Sequence, residues 1–265
     1  ISAAYGAKDV ATVLNSSNIT VQKSVVGEGQ NMNDIVSGGS EIRYGAGDVT
    51  LHHNLYADNY SGNPTIGEDI ALDFVNNVIF NWGVFAGFST NDLANNPSGL
   101  TNFLNYSANY LIAGSNSVFT NVAFWSGSTN TWIFQTNNFI DTNGNSILDG
   151  ANTSFGMFSN QYTPFSHPFD VPPPTTPDEA FIAYDRVLDF AGTSLEKRDS
   201  FDRGVVQRTR LRPAVTGATR PLSGMVAWWR AEGDAADSAG TNNGLLVGGL
   251  SFAPGEVAQG FNFTG

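Results

Sequence analysis

Cationic side chains are scarce over the first half of this chain. The 265 residues hold 12 Lys and Arg against 24 Asp and Glu. Residues 1–150 carry only Lys8, Lys23 and Arg43, beside 12 acidic residues. A surface this acidic repels nucleic acid, and no basic stripe reverses that. It also repels anionic polysaccharide unless a divalent cation bridges the two, whereas neutral glycans stay admissible. Cysteine is absent, which rules out disulfides and leaves the redox compartment open. No apolar run approaches the ~20 residues of a spanning helix, so no membrane span is expected. No signal peptide is visible. The opening ISAAYGAKDV reads as mid-domain sequence, so an earlier part of the first domain is expected to be missing.

What is present is a repeated asparagine. Val49–Ala57 (VTLHHNLYA), Leu72–Trp82 (LDFVNNVIFNW), Asn105–Gly114 (NYSANYLIAG) and Trp132–Asp141 (WIFQTNNFID) share one layout. Each runs apolar into an Asn and continues with two or three apolar residues. The anchors are Asn54, Asn77, Asn109 and Asn138, with Ser24 in the same place of Ile19–Val26. Their spacings are 30, 23, 32 and 29 residues, the signature of a structural repeat. The units have the length and β-branched or aromatic character of strands. Gly, Asn, Ser, Asp and Pro lie between them and build turns. No helical apolar pattern joins them, so a helix-wrapped parallel sheet is disfavoured. A chain that coils once per unit stacks each strand on its predecessor and each Asn on the last, where amides bond along the axis. The predicted fold is all-β: a right-handed parallel β-helix.

Four regions follow from composition. Residues 1–172 form the β-helix. The run VPPPTTP opens a helical strap over 173–214. Thr176 is the predicted N-cap of its first helix, Pro177 the first helical residue and Glu179 the capping-box partner. Ala180, Ala183, Tyr184, Val187, Leu188 and Ala191 make its buried face, and Gly192 ends it. A second helix is expected around Ser200–Leu211. The basic tract of Lys197–Arg212 is expected as a solvated helical face. Residues 215–223 read as a linker. Residues 224–265 read as short strands with Gly turns, too few for an independent sandwich.

The run VTLHHNLYADNYSGNPTIG, followed by ALDFVNNVIFNWG, resembles the core of the bacterial pectate lyase family. That family pairs a right-handed parallel β-helix with calcium-dependent lysis of polysaccharide. The likeness extends from about residue 8 to about residue 212 and is specific over residues 48–83. The tail from Gly224 (VAWWRAEGDAADSAG and AQGFNF) resembles the start of a concanavalin-like or laminin-G-like jelly roll. The implied chemistry is β-elimination from a uronic-acid polymer such as pectate. A base removes the proton beside the uronate carboxylate while cations disperse the developing charge.

The resemblance also shows departures. Its Arg before Asn-Pro is Gly62 here, its Arg after the Pro is Thr65, and its Lys ahead of the His-His strand falls near Gly38. Arg43 is the nearby guanidinium left as a replacement base. The resemblance sets His53 and Asn63 against substrate, although His52 and His53 also suit a structural stacking pair. It places Asp9 and Glu28 at calcium-ligand positions, with Asp34 nearby. These acids also suit solvated turns. Asp141, Asn143, Asn145 and Asp149 occupy positions 1, 3, 5 and 9 of a calcium-loop spacing. The Gly falls at position 4 and Asn152 at position 12, so an ordinary turn is equally served.

The implied function is a secreted, monomeric, Ca2+-dependent lyase-like protein. It would act on a glycan and contact neither nucleic acid nor membrane. One rival is a non-catalytic glycan-binding protein on the same scaffold. Another is a hydrolase using carboxylates such as Glu68 and Asp69, or Asp73.

Overall fold

A computed structural model describes residues 17–29, 38–43, 45, 47–89, 99–145, 147–171, 176–193, 197–211, 227, 229, 231, 233–237, 242–254 and 259–263. Five coils follow one another. The first comprises β1 (Ser17–Gln22), β2 (Val25–Gly27) and β3 (Glu41–Arg43). The second comprises β4 (Gly47–His52), β5 (Leu55–Ala57) and β6 (Thr65–Gly67). The third comprises β7 (Ala71–Val75), β8 (Val78–Phe80) and β9 (Gly87–Ser89). β10 (Asn102–Ser107), β11 (Tyr110–Ile112) and the start of β12 (Phe124–Thr136) make the fourth. The rest of β12, β13 (Phe139–Asp141) and β14 (Phe158–Phe165) make the fifth. Every strand pairs in parallel with its counterpart one coil away. The predicted right-handed parallel β-helix is therefore the fold, with the handedness that parallel crossovers impose.

The stack has three faces. One runs β1-β4-β7-β10-β12, the second β3-β6-β9-β12-β14 and the third β2-β5-β8-β11-β13. The long β12 bends from one face to the next and joins the first two into a single sheet. Inward columns build the core: Val49, Leu72, Leu104 and Ile133 are register partners, as are Leu51, Phe74 and Tyr106. The Phe74 and Tyr106 rings stack at 5.1 Å.

The predicted asparagine stack is present. Asn54, Asn77, Asn109 and Asn138 are completely buried. Each Oδ1 accepts the backbone N–H of the preceding anchor, at 2.9 Å from Ser24, 3.0 Å from Asn54, 2.9 Å from Asn77 and 3.0 Å from Asn109. Three of them also accept the preceding anchor's Nδ2, at 3.1, 3.3 and 3.0 Å. The remaining Nδ2 hydrogen goes to a strand carbonyl one coil back, such as Leu51 at 2.8 Å for Asn77. The residue before each anchor is left-handed: Lys23, His53, Asn76, Ala108 and Asn137 have φ of 50–55°. Asn and His tolerate that region better than most side chains.

The strap also forms. Helix α1 (Ala180–Phe190) buries Ala180, Ala183, Tyr184, Val187 and Leu188, with Ala191 after its end, as its periodicity predicts. Its Tyr184 and Phe181 rings meet Tyr110 and Phe139 of the third face. Its start differs from expectation, because Glu179 is the N-cap and no side chain caps the helix. Asn76 holds the Asp178 peptide from both sides, Oδ1 accepting its N–H at 2.9 Å and Nδ2 donating to its carbonyl. Tertiary bonding thus keeps the chain extended up to Glu179. Gly192, at φ 80°, leaves the helix and donates to the Lys23 carbonyl.

Helix α2 (Ser200–Leu211) matches its expected span. The basic tract is solvated only in part, at exposed Lys197 and Arg203. Arg198 is buried and caps α1 by donating to the Leu188, Asp189 and Ala191 carbonyls. Arg210 pairs with Asp189, and Arg208 with Glu28 and Asp58.

Compactness divides the chain into two units, 1–144 with 149–212 and 145–148 with 213–265. In the second, β15 (Ser251–Pro254) and β16 (Gln259–Asn262) form an antiparallel pair. No described helix is long and apolar enough to cross a membrane.

Removing one rung tests the stack. Asn77→Ala deletes a partner for the Asn54 backbone and amide N–H groups and for the Leu51 carbonyl. Each stranded buried group costs about 1–3 kcal/mol. A urea melt is expected to show at least ~3 kcal/mol lost, while Asn143→Ala, at an exposed turn, changes little.

Candidate functional site

The second face carries the residues that the lyase resemblance singles out. Gly38 bridges in parallel to Ser61. A Cβ on Gly62 would lie 3.4 Å from the Gly38 Cα and 2.3 Å from the Thr65 Oγ1, at a left-handed φ of 69°. The structure therefore gathers all three expected cationic positions at one spot, and each is neutral. Asn63 follows, buried, with Oδ1 accepting from Asn59 Nδ2 at 2.9 Å and its backbone N–H bonded to Ala86. That bonding holds the turn and leaves Asn63 facing the interior.

Arg43 lies on the same face, at the end of β3. Its Nε and Nη2 fork onto both Glu68 oxygens at 2.5 Å, and Nη1 reaches Glu41 at 3.0 Å. Side-chain exposure is 15% for Arg43 and 5% for Glu68, so the pair is largely withdrawn from solvent. A general base must present a free lone pair at hydrogen-bond distance from its proton. This guanidinium is instead a charge partner of two carboxylates. Glu68 is likewise committed to it. Asp69 is exposed beside it, and Asp73 lies on the first face.

His53 sits elsewhere, at the bend between β4 and β5 beneath the strap. Its Nδ1 lies 2.9 Å from His52 Nδ1 and its Nε2 lies 3.1 Å from Asp178 Oδ2. Arg186 also pairs with Asp178. Burial first, then His53 and Lys23, push the His52 imidazole down to about 4. The pair anchors the strap, and Asp178 is the partner that sequence reasoning missed.

Glu28 belongs to a third group. Glu28, Asp58 and Asn81 follow β2, β5 and β8 at left-handed φ of 60°, 58° and 52°. Asn81 Nδ2 donates to Asp58 at 2.6 Å, and Arg208 of α2 reaches Glu28 at 2.5 Å and Asp58 at 3.0 Å. An open cavity of about 630 Å³ lies beside them, also lined by Asn59, Tyr60 and Asn116.

The acids proposed for calcium have other partners among the described residues. The Arg208 charge stands where a cation would meet Glu28. In the Asp141 turn, Asn143 Nδ2 donates to both Asp149 oxygens at 3.2 and 3.3 Å, and Asp141 Oδ1 lies 3.5 Å from the Asn143 amide nitrogen. Asn145 Oδ1 takes the Ile147 amide. Among the described residues no group of three His, Cys, Asp or Glu side chains is placed to hold a metal. Asp9 and Asp34 lie outside the described residues.

Asp73 is the other unusual acid. It is buried, and its Oδ2 has no hydrogen-bond partner. Burial pushes its carboxyl up to about 7, against a smaller downward pull from Asn105. The unfolded carboxyl ionises near its ordinary 3.8. Between these values the unfolded chain gives up a proton that the folded chain keeps. Stability therefore falls as pH climbs from about 4 to about 7 and then levels. Asp73→Asn should remove that slope. The variant should melt above the parent at pH above about 7 and level with it below about 4, as followed by circular dichroism.

No family model matches the chain. Curated relatives do match. It is 30% identical over 201 residues to a protein named "Probable pectate lyase C" from Aspergillus fumigatus, covering 74% of this chain and 44% of that one. It is 32% identical over 203 residues to the protein of the same name from Neosartorya fischeri, with the same coverage. The Aspergillus terreus protein is 29% identical over 216 residues, 79% of this chain and 47% of that one. The chain thus spans a little under half the length of these relatives.

Proposed function

We propose that the chain is part of a secreted protein of the pectate lyase type that acts on a uronic-acid polysaccharide by β-elimination. We further propose that this activity is impaired. The observation that carries the reading is similarity over about three quarters of the chain to proteins named pectate lyase C, on a parallel β-helix. The HHN, NP and VNNVIFNWG segments lie in its second and third coils, which is where the resemblance is most specific. Impairment follows from charge. Elimination needs a base at the α-proton and cations at the developing enolate, yet Gly38, Gly62 and Thr65 supply none. Arg43 remains the candidate base, and it must first leave Glu68. A requirement for Ca2+ belongs to the reading, with Asp9, Glu28, Asp34 and the turn of Asp141, Asn143, Asn145 and Asp149 as its candidate ligands; of these Glu28 is paired with Arg208. The tail from Gly224 is proposed as the start of a jelly-roll module.

A glycan-binding protein without catalysis is the second reading. It is favoured by the neutrality of Gly38, Gly62 and Thr65, and by the left-handed backbone at Gly62, where a Cβ would lie 2.3 Å from the Thr65 Oγ1.

One assay separates the two. The protein is incubated with polygalacturonate, with Ca2+ or with a chelator, and the ultraviolet absorbance of unsaturated uronide product is followed. Slow growth of signal that the chelator abolishes and Arg43→Ala removes is expected. A flat trace together with retained glycan binding would replace the lyase reading by the second.

A further inference from the structure

We infer that the second face carries an aromatic platform that binds uronic-acid polymer whose carboxylates are esterified, in preference to the free polyanion. This rests on the reading that the chain acts on a uronic-acid polymer, and it adds which charge state of that polymer is held. Strand register defines one column along the face: Glu41, Thr65, Phe88, Trp125 and Ser159 are successive partners. Their inward neighbours, such as Ile42, Ile66 and Phe124, are buried in the core, so alternation turns this column outward; Thr65 alone in it is covered, while Phe88, Trp125 and Ser159 are half-buried and Glu41 is exposed. The column changes character along its length. Its first coil is acidic, and its third and fourth coils are aromatic.

Two rings from the connecting segments extend the aromatic part. Phe85 stacks on Phe119 at 5.2 Å with 6° between planes, on Trp125 at 5.4 Å, and stands 6.2 Å from Phe88. Phe88 reaches back toward the neutral spot, its Cε1 lying 3.5 Å from where a Gly62 Cβ would be. The Trp125 indole lies over Gly127, which has no side chain to cover it. Phe119 stays 44% exposed. A contiguous aromatic surface therefore starts beside Gly62, one of the expected cationic positions, and runs along two coils.

Charge selects the occupant. A polyanion would meet Glu41 on this face and exposed Asp69 in the turn after β6, and Arg43 is the only Lys or Arg in the five strands that build the face. Esterification removes that repulsion and adds a methyl group. Pyranose C–H faces and methyl esters are apolar surfaces suited to aromatic rings. Adjacent coils sit about 4.8 Å apart, so neighbouring rings address successive parts of one chain.

The test measures binding without turnover, by calorimetry in chelator, using homogalacturonan of one length either highly methyl-esterified or fully de-esterified. The esterified polymer is expected to bind at least tenfold tighter. Trp125→Ala and Phe119→Ala should each weaken that binding at least fivefold while binding of the de-esterified polymer changes less than twofold. Melting curves report folding, and Phe119, being exposed, serves should Trp125→Ala unfold. Equal or tighter binding of the de-esterified polymer overturns the inference, as does unchanged binding by a folded Phe119→Ala. Aromatic-dependent binding without unsaturated product from either polymer overturns the lyase reading alone. Product from the de-esterified polymer with no effect of the alanine variants overturns this inference alone.

Discussion

The hydrogen bonds of the buried asparagine amide hold this structure together. An amide has two donors and an acceptor oxygen with two lone pairs, and along the column these are spent in one direction. Oδ1 of Asn77 satisfies Asn54, Oδ1 of Asn109 satisfies Asn77, and Oδ1 of Asn138 satisfies Asn109. The left-handed bend before each anchor turns its backbone N–H along the axis, away from its own coil. No coil closes its own polar groups, so each needs the next. Stability is shared between neighbours as in other solenoids, and the burial of each coil's apolar residues depends on that register.

This constraint was legible because it is periodic in sequence. The anchors are visible as Asn at near-coil spacing, and strand type follows from the apolar residues on either side. Helix α2 was legible in full, and α1 in its buried face and its end. The start of α1 was not, because the Asn76 amide that holds Asp178 extended is 102 residues away. The same distance problem hid the roles of the arginines. Arg208 is 180 residues from Glu28 and 150 from Asp58, and nothing near Arg208 in sequence announces either. For the site, the sequence named Gly38, Gly62 and Thr65 as neutral, but that Gly38 lies beside Gly62 came from the coil register. The occupation of Arg43 by Glu68 and of Glu28 by Arg208 needed the coil register, which pairs residues by stacking and not by sequence.

The sequence's uneven charge finds its explanation in the strap. Stacked turns bring Glu28 and Asp58 close together, a repulsive arrangement at the end of the third face. Arg208 enters between them and converts repulsion into two ion pairs. These pairs are about 40% exposed on the arginine side, so each contributes at most about 1 kcal/mol and weakens with salt. The apolar face of α1 and the capping of its end by buried Arg198 carry more of the docking. The arginines of α2 set where it lies along the stack, and hydrophobic burial holds it there.

Position and charge together also constrain what the second face can do. Repeated stacking multiplies any outward residue into a column, so a face built from acids gathers negative potential coil upon coil, and one built from rings gathers apolar area. Here the first coil contributes Glu41 and the next supplies glycine and threonine where a guanidinium would offset it. The arginine that remains is bound to Glu68. With no spare positive charge, this face gains nothing from attraction to a polyanion and pays desolvation for it. Its remaining source of affinity is contact area, which grows where Phe88 and Trp125 follow one another with Phe85 and Phe119 beside them. The scarcity of cations and the presence of the rings therefore act in the same direction, favouring an uncharged, apolar occupant over a polyanion.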